Sequence, residues 1–238
     1  MMRDFLEPVS PTYSNRRCNM SRPLRTPDEI AAKKEHILTE ALKVLGEDGF
    51  SNMSINRVAG QIGMTAANLY NYFASRDELL LAMQTRISED IYRSCQAVYE
   101  KESDPLDRLS SFLRILIDMG LFSMHHYDIL YSLTAPRGDD YTGTAVERVA
   151  REEKEKAHQI ALKIRAIHMK VAMEISEIHG TFQPEEASFL LNRMWCLIHG
   201  AITLHNRNFL QRFGESDDEM FAKICDDAME PFRPKAAC

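Results

Sequence analysis

From Thr26 onward, apolar residues recur at three- and four-residue intervals, and no segment alternates convincingly between apolar and polar. That is the pattern of helices burying one face, and it predicts an all-α protein. Ile30, Ile37, Leu38, Ala41, Leu42 and Leu45 make the first such face. Thr26-Pro27-Asp28-Glu29 opens it with an N-cap, a proline at the first helical position and a capping-box Glu. Gly49 is placed to end it. Ser54 caps a short second helix, Gly63 makes a turn, and Thr65 caps a third segment expected over Ala66 to Phe73. Ser75-Arg76-Asp77-Glu78 is a second capping box, starting a helix along Leu79, Met83, Ile87 and Ile91 to about Tyr99.

The later chain reads the same way. Asp104-Pro105 opens a segment with Leu109, Phe112, Leu113, Leu116 and Ile117 apolar, and a short helix follows around Tyr127 to Leu133. Thr134 to Gly143, with Pro136 and Gly138, reads as a loop. A long helix is expected over residues 144 to 179, ended by Gly180. Its start, Glu147 to Lys156, is nearly all charged, and its later stripe is Ile160, Ile164, Ile167, Val171 and Ile175. Pro184 starts another long helix ending near Gly214, and Ser216-Asp217-Asp218-Glu219 caps a last one that stops before Pro231. Residues 1–25, with Pro8, Pro11 and Pro23 and no sustained period, read as a mobile arm. Met20 is an alternative translation start.

The stretch from Ser54 to Leu79 carries the chemistry. Two short helices around a glycine turn, the second beginning with small Ala66 and Ala67, suit a recognition helix whose N-terminal residues face base edges in the major groove. Ile55, Val58, Ala59, Ile62, Gly63, Met64, Thr65, Leu69, Tyr70, Tyr72, Phe73, Arg76, Glu78 and Leu79 resemble the N-terminal helix-turn-helix of the TetR family of bacterial regulators. The resemblance covers roughly residues 26 to 80. It implies a three-helix DNA-binding domain over 26–80 and a larger helical effector-binding and dimerisation domain over 81–238. Trp195-Cys196-Leu197-Ile198-His199-Gly200 further resembles the Trp-x-x-x-His-Gly signature of one subgroup.

Affinity for DNA comes largely from phosphates and sequence choice from base edges. The expected phosphate contacts are Thr65, Tyr70, Tyr72 and Arg76, with Arg57, Arg22 and Arg25 adding to them. Ala66, Ala67, Asn68 and Asn71 are the expected base readers, since an alanine methyl meets a thymine methyl and an asparagine amide pairs with adenine. The family usually carries Lys where Arg76 stands, which preserves the charge. One such reader covers few base pairs. A two-fold homodimer reading a pseudo-palindromic double-stranded operator is therefore expected, formed by segments 184 to 213 and 217 to 230, as the family's last two long helices pair. The helix from Ser75 would act as a rod linking the two halves.

Composition narrows rather than changes this picture. The 238 residues are 45% hydrophobic and 27% charged, enough for a substantial core. Net charge is −6, which argues against nonspecific coating of nucleic acid. Yet residues 1 to 27 hold five arginines against Asp4 and Glu7, a balance of +3 that fits a DNA arm. No stretch approaches the ~20 apolar residues of a membrane span, and no signal peptide is visible. Cys18, Cys95, Cys196, Cys225 and Cys238 show no metal or redox spacing, so a cytoplasmic protein with reduced thiols is expected.

By resemblance the C-terminal half holds a small-molecule effector, with Met119, Phe122, Met124, Tyr127, Met173, Trp195 and His199 the candidate pocket residues. Each is also explicable as ordinary core. The histidines form no metal-binding or acid–base motif and there is no phosphate loop, so no cofactor, no metal and no enzymatic activity are expected. The expected function is a transcriptional regulator, a repressor released by its effector. The alternatives are an architectural DNA-binding protein without a ligand and, less favoured, a helical enzyme.

Overall fold

The computed structural model describes residues 26–131, 135–209 and 216–234. Every regular element among them is helical: α1 (Pro27–Asn52), α2 (Ile55–Gln61), α3 (Ala66–Leu69), α4 (Arg76–Lys101), α5 (Pro105–Phe122), α6 (Met124–Tyr131), α7 (Glu147–His179), α8 (Ala187–Asn206) and α9 (Asp217–Met229). None of these helices is long and apolar enough to cross a membrane. Arg22 and Arg25, and the rest of the arm, lie outside the described residues.

The caps form as the sequence spells them. Thr26 accepts from Glu29 N while the Glu29 carboxylate accepts from Thr26 N at 2.8 Å. Ser75 accepts from Glu78 N at 3.0 Å, but the Glu78 carboxylate reaches one residue past Ser75 N to Ala74 N, so the box is not reciprocal. Asp104 accepts from Leu106 N and Asp107 N, and Ser216 from Glu219 N. Gly180 ends α7 in the left-handed region, φ 61° and ψ 26°. The loop after α6 holds a tight turn, Gly138–Tyr141, which Tyr141 fastens to the first turn of α4 by donating to Asp77 at 3.2 Å.

Two apolar cores result. One joins α1 to the start of α4 through Ile37, Ala41, Val44, Leu45, Val58, Leu69, Phe73, Leu79, Leu80 and Met83, with Ile129 of α6 included. The other fills the space among α4, α5, α7, α8 and α9 around Leu109, Phe112, Val171, Ile175, Leu191, Met194, Ile198 and Phe232. Ile91 and Met119 touch both. α4 thus serves the first core with its N-terminal half and the second with its C-terminal half, over roughly 39 Å at 1.5 Å per residue. α6 is the other bridge. His126 Nε2 lies 2.9 Å from Leu42 O of α1, and Gln84 of α4 donates to Ile129 O and Pro136 O at 2.8 and 2.9 Å.

Candidate nucleic-acid interface and internal cavity

The reading edge is built by packing its opposite face. Leu69, Tyr72 and Phe73 are 0, 5 and 2% exposed, which turns Thr65, Ala67, Tyr70 and Asn71 outward. Thr65 caps α3, accepting from Asn68 N at 3.2 Å. Gly63 makes the preceding turn at φ 63°, where a side chain is strained. The helix is shorter than the pattern predicts. After Leu69 the chain winds through tight turns, with Asn71 N bonded to Asn68 O and Tyr72 N to Leu69 O. Leu69, Tyr72 and Phe73 nevertheless face one small core, as positions i, i+3 and i+4 of a helix would.

The expected DNA residues therefore divide. Thr65, Ala67, Tyr70 and Asn71 are exposed, and Ala66 and Asn68 half-buried on the same edge. Arg57 is exposed but lies between acids, 3.1 Å from Glu47 and 3.0 Å from Asp48. Tyr72 and Arg76 differ from expectation. Tyr72 belongs to the core. Arg76 points inward, donating to Phe50 O at 2.6 Å and Met53 O at 3.1 Å, with its guanidinium over the Phe50 ring. It ties off carbonyls left open where α1 ends. A cation the sequence reading passed over, Lys34, stands above the Phe73 ring 3.9 Å from Glu78. Its only signal was the Lys33-Lys34 pair in an acid-rich first helix. From residue 26 to 83 acids outnumber bases, eight to five.

The second core is hollow. A cavity of about 630 Å³ opens among α4, α5, α7 and α8. Its deep wall is apolar and buried: Cys95, Phe112, Leu113, Leu191 and Met194 are each at most 3% exposed. Gln84, Thr85 and Ser88 of α4 and His168 of α7 supply polar groups. Burial pushes the Cys95 thiol up to about 12, raises the Tyr131 phenol, and lowers His168, so all three stay neutral at pH 7.

Of the expected pocket residues, Met119 and Trp195 line the cavity. The others lie elsewhere. Phe122 is 82% exposed and Met124 37%, because both sit where α5 gives way to α6 at the surface. Met173 packs against the solid part of the core. Tyr127 is buried, its hydroxyl 2.6 Å from His199 Nδ1. His199 stands behind the wall, boxed by the rings of Trp195 and Tyr131 at 4.1 and 4.5 Å. Its Nε2 is buried with no hydrogen-bond partner among the described residues, and burial lowers its pKa to about 4. The polar lining was missed although α4 advertises it. Gln84, Thr85 and Ser88 interrupt an otherwise apolar face, and Thr85 is only 6% exposed. Among the described residues no cluster of side chains suits a metal ion.

Residues 37–83 match the family model described as bacterial regulatory proteins, tetR family. The N-terminal unit is a TetR-family domain. Over 91 residues the chain is 25% identical to the HTH-type transcriptional regulator BetI of Agrobacterium fabrum, covering 38% of this chain and 44% of that one. The match thus spans under half the length of this curated relative. Solved structures extend the likeness in fold. A TetR/AcrR-family transcriptional regulator from Thermobifida fusca superposes with a TM-score of 0.60 at 17% identity, covering 85% of this chain and 99% of that one. FadR of Bacillus subtilis, solved with stearoyl-CoA, gives 0.55 at 12%, covering 83% and 96%. The helices C-terminal to the TetR-family domain therefore share an arrangement with regulators of that fold.

Proposed function

We propose that the protein is a one-component transcriptional repressor: a homodimer whose paired TetR-family domains hold a pseudo-palindromic operator until a small molecule enters the cavity. The observation that carries this reading is the edge of α3. Its small, hydroxyl and amide side chains face outward from a helix-turn-helix whose apolar residues are packed beneath them. Asn71, Asn68, Ala66 and Ala67 read bases. Thr65 and Tyr70 bind phosphates as neutral donors. With Arg57 paired and Arg76 turned inward, the arm with Arg22 and Arg25 supplies most of the counter-charge. Tyr72 and Arg76 hold the reader in shape.

In this reading residues 1–25 are the arm, 26–80 the reader and 81–238 the sensor and dimer unit, acting in the cytoplasm. Phe189, Leu197 and Leu204 on α8 are 68, 38 and 40% exposed. They form an apolar stripe of the kind a second copy covers, with α9 alongside. Trp195, His199 and Gly200 keep the signature of the Trp-x-x-x-His-Gly subgroup. A cavity of about 630 Å³ is the size small-molecule sites take, and FadR's structure with stearoyl-CoA makes an effector there reasonable. The effector acts only through its different affinity for DNA-competent and DNA-incompetent conformers. A coupling of about 1–3 kcal/mol weakens DNA binding roughly 5–150-fold.

The test is selection of genomic DNA fragments by the purified protein, with stoichiometry measured on the fragments recovered. One palindrome bound by dimers is the expected result. A folded dimer that selects nothing sinks the reading.

A further inference from the structure

The cavity is long, and its two ends follow one order on each helix that walls it. α4 and α7 run side by side in the same direction. Tyr141, just before α7, donates to Asp77, and Leu81 packs with Ala150. Further along, the Lys163 ammonium lies over the Tyr92 ring and Tyr99 donates to Glu174. Their linings therefore keep step, Leu81 to Cys95 on α4 beside Lys154 to His168 on α7. Each stretch covers about 21 Å at 1.5 Å per residue. α5 runs back along them after the short link at 102–104. Its Phe112 ring is 4.6 Å from the His168 ring, and Met119, two turns further on, packs against the reader's core. α8 starts at the His168 end, where Ser188 accepts from Arg165 at 2.8 Å. It reaches Tyr131 with Trp195, ring centroids 5.8 Å apart.

Between those ends the lining offers mainly apolar contact. Its polar side chains spend their hydrogens on the protein: Ser88 on Gln84 O at 2.9 Å, Gln84 on Ile129 O and Pro136 O, and His168 on Ile164 O at 2.8 Å. Such a site selects by shape and apolar area. The Gln84 end is also shared with the reader. Ile129 lines the cavity and belongs to the first core, and Ile91, Met119 and Leu130 line it and pack against that core. A compact ligand beside His168 leaves that end untouched. Only a ligand of nearly the cavity's length meets Phe112 and Ile129 together.

Resting on the reading of the cavity as the effector site, we propose that its ligand is an elongated, largely apolar molecule of the alkyl-chain type, spanning the cavity from Phe112 and His168 to Met119 and Ile129. A linear chain of about twelve carbons, roughly 15 Å long when extended with C–C bonds of ~1.5 Å, crosses the midpoint from either end.

Trp195, the chain's single tryptophan, lines the cavity and reports its occupancy by fluorescence. The full-length protein is titrated with hexan-1-ol, octan-1-ol, decan-1-ol and dodecan-1-ol. Affinity is expected to rise roughly fourfold with each methylene through the whole series, as continued burial of the chain requires. Ala161 lines the cavity midway between Lys154 and His168 and is exposed, so a larger side chain there leaves the cores intact. Ala161→Phe is expected to weaken dodecan-1-ol at least tenfold and to leave hexan-1-ol within about twofold. A gain that stops at octan-1-ol, binding of none of the four, a dodecan-1-ol affinity that survives Ala161→Phe, or equal losses for the short and long alcohols overturns the proposal. Operator binding by the ligand-free protein is measured in parallel. Its absence defeats the regulator reading, whereas the alcohol series alone decides the shape of the ligand.

Discussion

The reader and the cavity are built on opposite principles. The reader is a small solid core, in which Leu69, Phe73, Leu79 and Leu80 are at most 2% exposed and the outward face is what remains. The cavity is a core left incomplete, where Met119 and Trp195 touch protein on one side and open space on the other. The first is drawn mostly from one continuous stretch of chain, Ile37 to Ile87. In the second the wall comes from helices between α4 and α8, more than a hundred residues apart. A solid unit holds one shape rigidly. A hollow one can exchange void for ligand with little loss of contact.

Truncation should expose that difference first. Leu69→Ala is expected to cost about 3 kcal/mol by leaving a void in a packed site, against roughly 1 kcal/mol for Met119→Ala, whose neighbours are already partly missing. Urea unfolding midpoints of the two variants give the comparison, and equal losses would erase it. Arg76→Ala should cost about 2 kcal/mol, since two carbonyls lose a charged donor. It should lower the melting temperature as well as operator affinity, where a pure phosphate contact would lower affinity alone.

Smaller changes sharpen the picture at the reading edge. Asn68→Ala is expected to relax preference at one operator position per half-site, by about 1–3 kcal/mol. Tyr70→Phe should instead weaken all sequences alike, as seen by selection with each variant. Gly63→Ala has open space for its methyl, with nothing within 4 Å, so its cost is confined to the backbone, about 1 kcal/mol in a thermal melt.

Another expected effect concerns pH and belongs to the hollow half. His199 and His168 have depressed pKa values in the folded chain, His199 near 4. As pH falls below the ordinary histidine value of about 6.5, the unfolded chain takes up protons that the native one refuses. Their contribution is thus complete above that value and is lost as pH falls toward 4. His199→Gln should flatten the decline in urea midpoint between pH 6.5 and 4.5, and an unchanged slope would assign it to other groups.

Local signals carried much of this. Thr26, Ser54, Thr65, Ser75 and Asp104 all cap the helices that their neighbours announce, because a cap involves residues only two or three apart. The outward positions of Thr65, Tyr70 and Asn71 follow from the spacing of Leu69 and Phe73. Arg76 did not follow, since its partners Phe50 and Met53 lie more than twenty residues upstream, across a chain reversal. The aromatic and thioether residues chosen for the pocket were mostly misplaced for the same reason. Phe122 and Met173 have suitable chemistry, but whether a residue faces a void depends on which helices diverge around it.

The sequence by itself determined an all-α pattern, most of its helix starts, and a helix-turn-helix with one face free, since those depend on periods and caps within a few residues. Tertiary structure alone decided that Arg76 closes the reader and that Tyr72 belongs to its core. Those placements depend on how helices distant in sequence meet, and a period along one helix carries no information about its partner's angle.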